Sequence, residues 1–370
     1  MTPAPPPQAP TPQAPTPLAA RLIAQIAATG PIGVDAYMAA CLLDPAHGYY
    51  ATREPFGSAG DFTTAPEISQ MFGELLGLCL AQSWRDQGAP GRVVLAELGP
   101  GRGTLMADVL RATRGVPGFH DAAALHLVEA SPRLRAIQAQ TLAGHAPRWH
   151  DSVASLPEAP LFLLANEFFD ALPIRQFLRV QNLWAERRIG LAEGRLAFGL
   201  GPPGPLADLA PRLADTRPGD LVETCPGAAP IMAELGARIA RHGGAALIVD
   251  YGGWSGTGDT LQALHTGRPA DPLAQPGQAD LTAHVQFAPL AAAAHSAGAR
   301  ASRLTPQGLL LQRLGIDARA ERLAQGLSGA PLASHRAAHR RLTDPAEMGT
   351  LFQALAVTAP QAPLPPGFDA

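Results

Sequence analysis

Apolar positions recur at helical spacing over Leu18–Thr29, a run ended by Gly30-Pro31, and again over Val34–Leu43, which stops ahead of Pro45. A loop carrying Gly48, Gly57 and Gly60 follows. From Pro66 the spacing predicts one long helix, with Ile68, Phe72, Leu75, Leu76 and Cys79 on a shared face and Gly88 as its stop. The period then changes. Short continuous apolar runs at Arg92–Leu98, Leu125–Glu129, Leu161–Ala165 and Ala245–Asp250 read as buried strands. Between them lie helical patterns at Thr104–Thr113, from the cap pair Ser131-Pro132 to about Leu142, and at Ala228–His242. Strands alternating with helices predict an α/β fold, a mostly parallel, doubly wound sheet covered on both faces.

The rhythm breaks between about 175 and 225, where Phe177–Trp184 and Arg187–Phe198 read as strands around a Glu193-Gly194 turn, a β-rich insertion. Several short amphipathic helices are expected after Pro289, one with His335, His339, Arg340 and Arg341 on a solvated face. Residues 1–17 hold eight prolines and read as a disordered tail, and Pro360–Ala370 reads as a flexible one. The expected organisation is a helical region over 18–88 packing over a ligand site, then one domain over 89–358.

Composition closes several routes. All 28 basic residues are Arg, so no lysine Schiff base or P-loop lysine exists in this chain. A net charge of −3 argues against a protein that grips nucleic acid. Cys41, Cys79 and Cys225 are far apart and form no C-x-x-C pair, so neither a disulfide framework nor a metal knuckle is indicated. No apolar run reaches the ~18 residues of a membrane span. A bacterial cytoplasm is the expected location.

The candidate chemistry starts at Glu97-Leu98-Gly99-Pro100-Gly101-Arg102-Gly103, a strand ending in a glycine turn before a helix. Such a turn lets a ligand approach the backbone beside a helix N-terminus. The spacing is G-x-G-x-G with Thr104 where a dinucleotide fingerprint has its third glycine, which disfavours a nicotinamide dehydrogenase. Glu97 would repel a pyrophosphate and suits a ligand carrying positive charge. Glu129 ends the next strand and can accept from both ribose hydroxyls; Asp151, after the next, stands where such folds contact adenine. Acid, glycine turn and second acid resemble the adenosylmethionine site of Rossmann-like methyltransferases.

Four blocks carry a closer resemblance: Asp44-Pro45-Ala46-His47-Gly48-Tyr49-Tyr50, the run from Gly60 to Leu75, Glu97 to Leu105, and Ala165-Asn166-Glu167-Phe168-Phe169-Asp170-Ala171-Leu172-Pro173. With Gly243–Gly252 and Pro276–Leu281 they resemble the MidA family, whose mitochondrial members are complex I assembly factors that methylate arginine on the 49-kDa-type subunit. The resemblance implies a seven-stranded methyltransferase fold, S-adenosyl-L-methionine as donor and a protein arginine as acceptor. After Glu223-Thr224-Cys225-Pro226 that family usually has an acidic residue, where this chain has Gly227.

Methyl transfer is an in-line displacement, and a guanidinium is a poor nucleophile because it stays protonated and delocalised. Paired carboxylates hold it bidentately, localise its charge and take its proton as the new bond forms. Glu167 and Asp170, with Asn166, lie past the Leu161–Ala165 strand and are the expected acceptor-side groups. Asp61, Glu67 and Tyr50 are expected at the mouth of the cleft. The alternatives are a binding-only assembly chaperone and a small-molecule methyltransferase.

Overall fold

A computed structural model describes residues 15–52 and 64–370. Its main sheet runs, from one edge, Arg300–Ala301, Phe352–Thr358, Gly244–Gly253, Leu161–Asn166, Val93–Leu98, Ala123–Val128 and Arg148–His150, with two short strands attached off this path. The four strands from Gly244–Gly253 through Ala123–Val128 and the Arg148–His150 edge are mutually parallel, and Phe352–Thr358 enters antiparallel. Every residue of Val93–Leu98 and Leu161–Asn166 is buried, as two helical covers require. The expected α/β class and seven-stranded methyltransferase-like order both stand.

Register decides where the site falls. Leu98 pairs with Val128 and with Ala165, Val128 with His150, and Asn166 with Val249. The residues just beyond those partners are therefore brought to one edge: Gly99, Glu129, Asp151, Glu167 and Asp250. This carboxyl edge is where ligands bind in wound sheets. Side-chain alternation puts Glu97 on the same face as Val93 and Leu95, and Asn166 on the same face as Phe162 and Leu164, toward the larger core cluster.

Several expectations need correcting. The long helix from Pro66 is two: Ala65–Ile68, then Gln70–Asp86, separated by Ser69, whose extended backbone and hydroxyl (accepting from the Met71 amide) cap the second. Gln70–Asp86 lies tight against Thr104–Thr113; a Cβ on Gly77 would stand 2.9 Å from Val109 Cα. The first two helices, Pro17–Thr29 and Val34–Leu43, do not roof the site. Leu18, Leu22, Tyr37 and Met38 pack instead with Ile174, Ile189 and Leu281, against the inserted sheet. Pro17 opens the first helix instead of closing a tail.

The inserted sheet comprises Arg175–Val180, Leu183–Ala192, Arg195–Leu200, Leu221–Thr224 and Ile32–Gly33. Its first hairpin turns at Gln181-Asn182, inside the run expected as one strand, with Gln181 at φ 56°. Phe352–Thr358 is a strand that helical expectations after Pro289 overlooked. The segment after it is packed, contrary to the flexible-tail expectation. Leu364 and Phe368 join the core, the Arg303 amide donates to Asp369 O (2.9 Å), and Asp369 pairs with Arg313. Proline content masked those two apolar anchors. His335 and His339 face the neighbouring helix, on Ala320 O and Asp317, instead of solvent alone. Residues 1–14 and the loop bearing Gly57, Gly60 and Asp61 lie outside the described residues.

Candidate active site

Three glycines shape the loop after Val93–Leu98. Gly99, Gly101 and Gly103 sit at φ 58°, 52° and 84°, a region that disfavours side-chain-bearing residues. A Cβ on Gly99 would also stand 3.0 Å from Phe168 Cδ2. The loop delivers the chain into Thr104–Thr113, and the Met106 amide of its first turn donates to the Glu97 carboxyl.

Glu97 is almost fully buried, and its Oε2 has no partner. Burial, and next the Glu129 charge, push its carboxyl up to about 8. A desolvated carboxylate with an orphaned oxygen is satisfied by a cation, which is what the amino acid end of a sulfonium nucleoside presents. Glu129 is held by the Ser131 amide (2.8 Å) and by Gln138 Nε2 (3.2 Å), and burial raises its pKa. Gln138 was not singled out from sequence. It is fully buried, its Nε2 also donates to Gly101 O (2.8 Å), and its Oε1 accepts from Trp149 Nε1 (2.8 Å). One amide thus ties the glycine loop to the acid expected on the ribose. Asp151 reaches the same edge but is 91% exposed and pairs with Arg135.

Above the loop stands Ala65–Ile68. Thr104 Oγ1 donates to Glu67 Oε1 (2.6 Å), and the Ala65 amide to Glu167 Oε1 (3.3 Å). The space between them, lined by Glu67, Glu97, Gly99, Gly101, Asn166 and Glu167, is about 40 Å³. Ligand pockets run to a few hundred Å³, so this is the closed form of the crevice. The set fits S-adenosyl-L-methionine: Glu97 for the charged end, the side-chain-free glycine loop that lets the ligand approach the backbone, and Glu129 for ribose.

Past the next strand, Glu167 occupies φ 50° while its amide donates to Val249 O (2.9 Å). A non-glycine residue held there costs of order 1–3 kcal/mol, a pattern that concentrates at functional sites. Asn166 Nδ2 donates to Glu167 Oε1 (3.0 Å). Burial and then Asp170 push the Glu167 carboxyl up to about 7, opposed in part by Asn166, the Ala65 amide and Arg341. Burial pushes Asp170 up to about 6, against a hydrogen bond from the Tyr251 hydroxyl. Asn166 Oδ1 and Asp170 Oδ1 are buried without partners. Neither acid pairs with Arg175, which takes Glu186 instead. Tyr50 donates to Asp280 Oδ1 (3.2 Å) and lies near Asp170. Asp61 lies outside the described residues.

A larger cavity, about 470 Å³, opens beyond Phe169, between the inserted sheet and Phe287–Ser296; Phe177, Leu206, Val222, Glu223 and Leu290 are among its walls. It lacks the glycine loop and the orphaned Glu97, so the smaller crevice is the candidate cofactor site. Among the described residues, no cluster suited to a metal occurs, and no helix is long and apolar enough to cross a membrane.

The chain is similar to known proteins along most of its length. Residues 75–305 match the model of an S-adenosyl-L-methionine-dependent methyltransferase family. "Protein arginine methyltransferase NDUFAF7 homolog, mitochondrial" of Drosophila melanogaster is 38% identical over 373 residues, covering 92% of this chain and 84% of its own. The Homo sapiens protein of that name, without "homolog", is 38% identical over 327 residues, 80% and 73%. A Burkholderia thailandensis crystal structure bound to S-adenosyl-homocysteine superposes with TM-score 0.81 at 31% identity, covering 97% of this chain and 96% of that one. Glycine loop, ribose acid, sheet order and these matches agree: the chain belongs to the MidA-like family of S-adenosyl-L-methionine-dependent methyltransferases.

Proposed function

We propose that this enzyme methylates a protein arginine, on the 49-kDa-type subunit of respiratory complex I, in support of the assembly of that complex in a bacterial cytoplasm. The observation that carries the reading is the acid turn beside the cofactor loop. Half-buried Glu167 stands beside buried Asp170, with Asn166 Oδ1 and Asp170 Oδ1 lacking partners. Such a set satisfies a guanidinium, which offers five donors and a full charge.

When bound, S-adenosyl-L-methionine supplies a methyl group activated by its sulfonium. Glu97 and the glycine loop orient the donor's charged end, and Glu129 with Gln138 behind it fixes the ribose. Glu167 and Asp170 grip the acceptor guanidinium, turn one nitrogen toward the methyl carbon and exclude water from the contact. The bound donor would give up its methyl group with the bonding electron pair remaining on its sulfur, and the acceptor nitrogen would then carry a proton to lose. Glu167 takes the proton the nitrogen sheds.

The relatives' printed names support the arginine acceptor. A small-molecule acceptor is the second reading, favoured by the cavity beyond Phe169, whose size suits one. Labelled methyl transfer to the purified complex I subunit, with and without its target arginine, separates the two. Incorporation that depends on that arginine is expected; none on the protein, with transfer to a small molecule, would replace the proposal.

A further inference from the structure

Asp250 has no part in the site as described so far, yet it sits at its centre. It follows Val249, whose carbonyl holds the Glu167 amide, and its side chain is wholly buried. Oδ2 accepts from the backbone amides of Phe169 (3.0 Å) and Asp170 (3.2 Å), and Oδ1 from the amide of Tyr251 (2.9 Å). Both oxygens are therefore engaged by backbone, and neither is available to grip an acceptor. What they grip is the turn that carries Glu167 and Asp170.

We propose that Asp250 is the positioning residue of the acceptor side: through the backbone amides of Phe169 and Asp170 it clamps the turn that carries Glu167 and Asp170. The inference rests on the arginine reading. One feature of the geometry supports it. The left-handed conformation at Glu167 persists only if its surroundings over-determine it, and the amides beyond it are anchored by Asp250.

The test is Asp250→Asn in the full chain, nearly isosteric and uncharged. Affinity for S-adenosyl-homocysteine should stay within about twofold, because that site is built on other strands, while kcat/KM on the complex I subunit falls about 100-fold through misplacement of the acid turn. The loss should fall on kcat, with KM for the subunit changed less than about threefold, because the acceptor still meets the acids but out of line. A merely structural role would weaken cofactor binding along with turnover. Wild-type kcat/KM, or cofactor affinity lost together with activity, would overturn the proposal.

Hydrogen exchange at the Phe169 and Asp170 amides needs no acceptor and keeps the two readings apart. If the wild type never methylates the subunit, the arginine reading fails, and exchange still reports whether Asp250 holds the turn. Protection at both amides should fall at least about tenfold in Asp250→Asn, and protection equal to wild type would overturn the proposal. Should that variant fail to fold, Asp250→Glu is measured instead, with the same two outcomes.

Discussion

The Thr104 hydroxyl donates to Glu67 Oε1 across 2.6 Å, joining the first turn after the glycine loop to the short helix that stands over it. Together with the Ala65–Glu167 contact it keeps the crevice near 40 Å³. Entry of a nucleoside-sized ligand requires that latch to part. Thr104→Val, which keeps the side-chain shape and removes the donor, should speed association of S-adenosyl-homocysteine several-fold, because opening precedes binding. Stopped-flow tryptophan fluorescence reads the rate.

Glu97 gives cofactor binding a pH dependence. Its carboxyl sits near 8 in the closed protein, against 4.5 ordinarily, yet it must be ionised to hold a cation. Binding therefore releases a proton below about pH 8, and affinity should rise between pH 6.5 and 8. Calorimetry in two buffers of different ionisation heat measures that proton; Glu97→Gln should abolish the release and weaken binding.

The same raised carboxyls affect the stability of the unliganded protein. Between the ordinary carboxyl range and about pH 8, the folded state holds more protons at Glu97, Glu167 and Asp170 than the unfolded chain does. Stability at these groups is then greatest at the acid end of the window and falls as pH rises through their folded values. Urea titrations at pH 5.5 and 8 should show the fall, with a smaller one in Glu97→Gln.

Gln138 tests whether the ribose acid needs its support. Gln138→Leu fills the same space but frees both Gly101 O and Glu129 Oε2. The affinity for S-adenosyl-homocysteine should drop about 10-fold or more, as losses of supporting hydrogen bonds behind a binding group do. Affinity equal to wild type would show that the loop and Glu129 hold their places unaided.

The capping of Gln70–Asp86 by Ser69 predicts a purely structural effect. Ser69→Ala should cost about 1 kcal/mol of stability by urea denaturation, with cofactor affinity unchanged.

Much of this architecture could be read in advance because it depends on local signals. The apolar runs gave the parallel strands, and Val34–Leu43 and Ala228–His242 have the bounds their spacing implied. Glu97, the glycines, Glu129 and Glu167 follow from being the residues at strand ends, since register places strand ends side by side. Asp250 lies within a strand, and nothing local marks it, because two of its three amide partners are about eighty residues away in sequence. Gln138 carries no local signal; its role depends on Trp149 and Gly101 across the fold. The Phe352–Thr358 strand was hidden by its late position among helices, and Phe368 by the prolines around it. What stayed illegible in each case was a long-range contact.

The central claim is that the acid turn performs transfer while the glycine loop holds the donor, so one variant should separate the two. Glu167→Gln is compared with wild type by calorimetry with S-adenosyl-homocysteine and by labelled methyl transfer to the purified complex I subunit. Near-equal cofactor affinity with transfer slowed at least about 100-fold is the expected result. Transfer at the wild-type rate by a variant that still binds the cofactor would contradict the account.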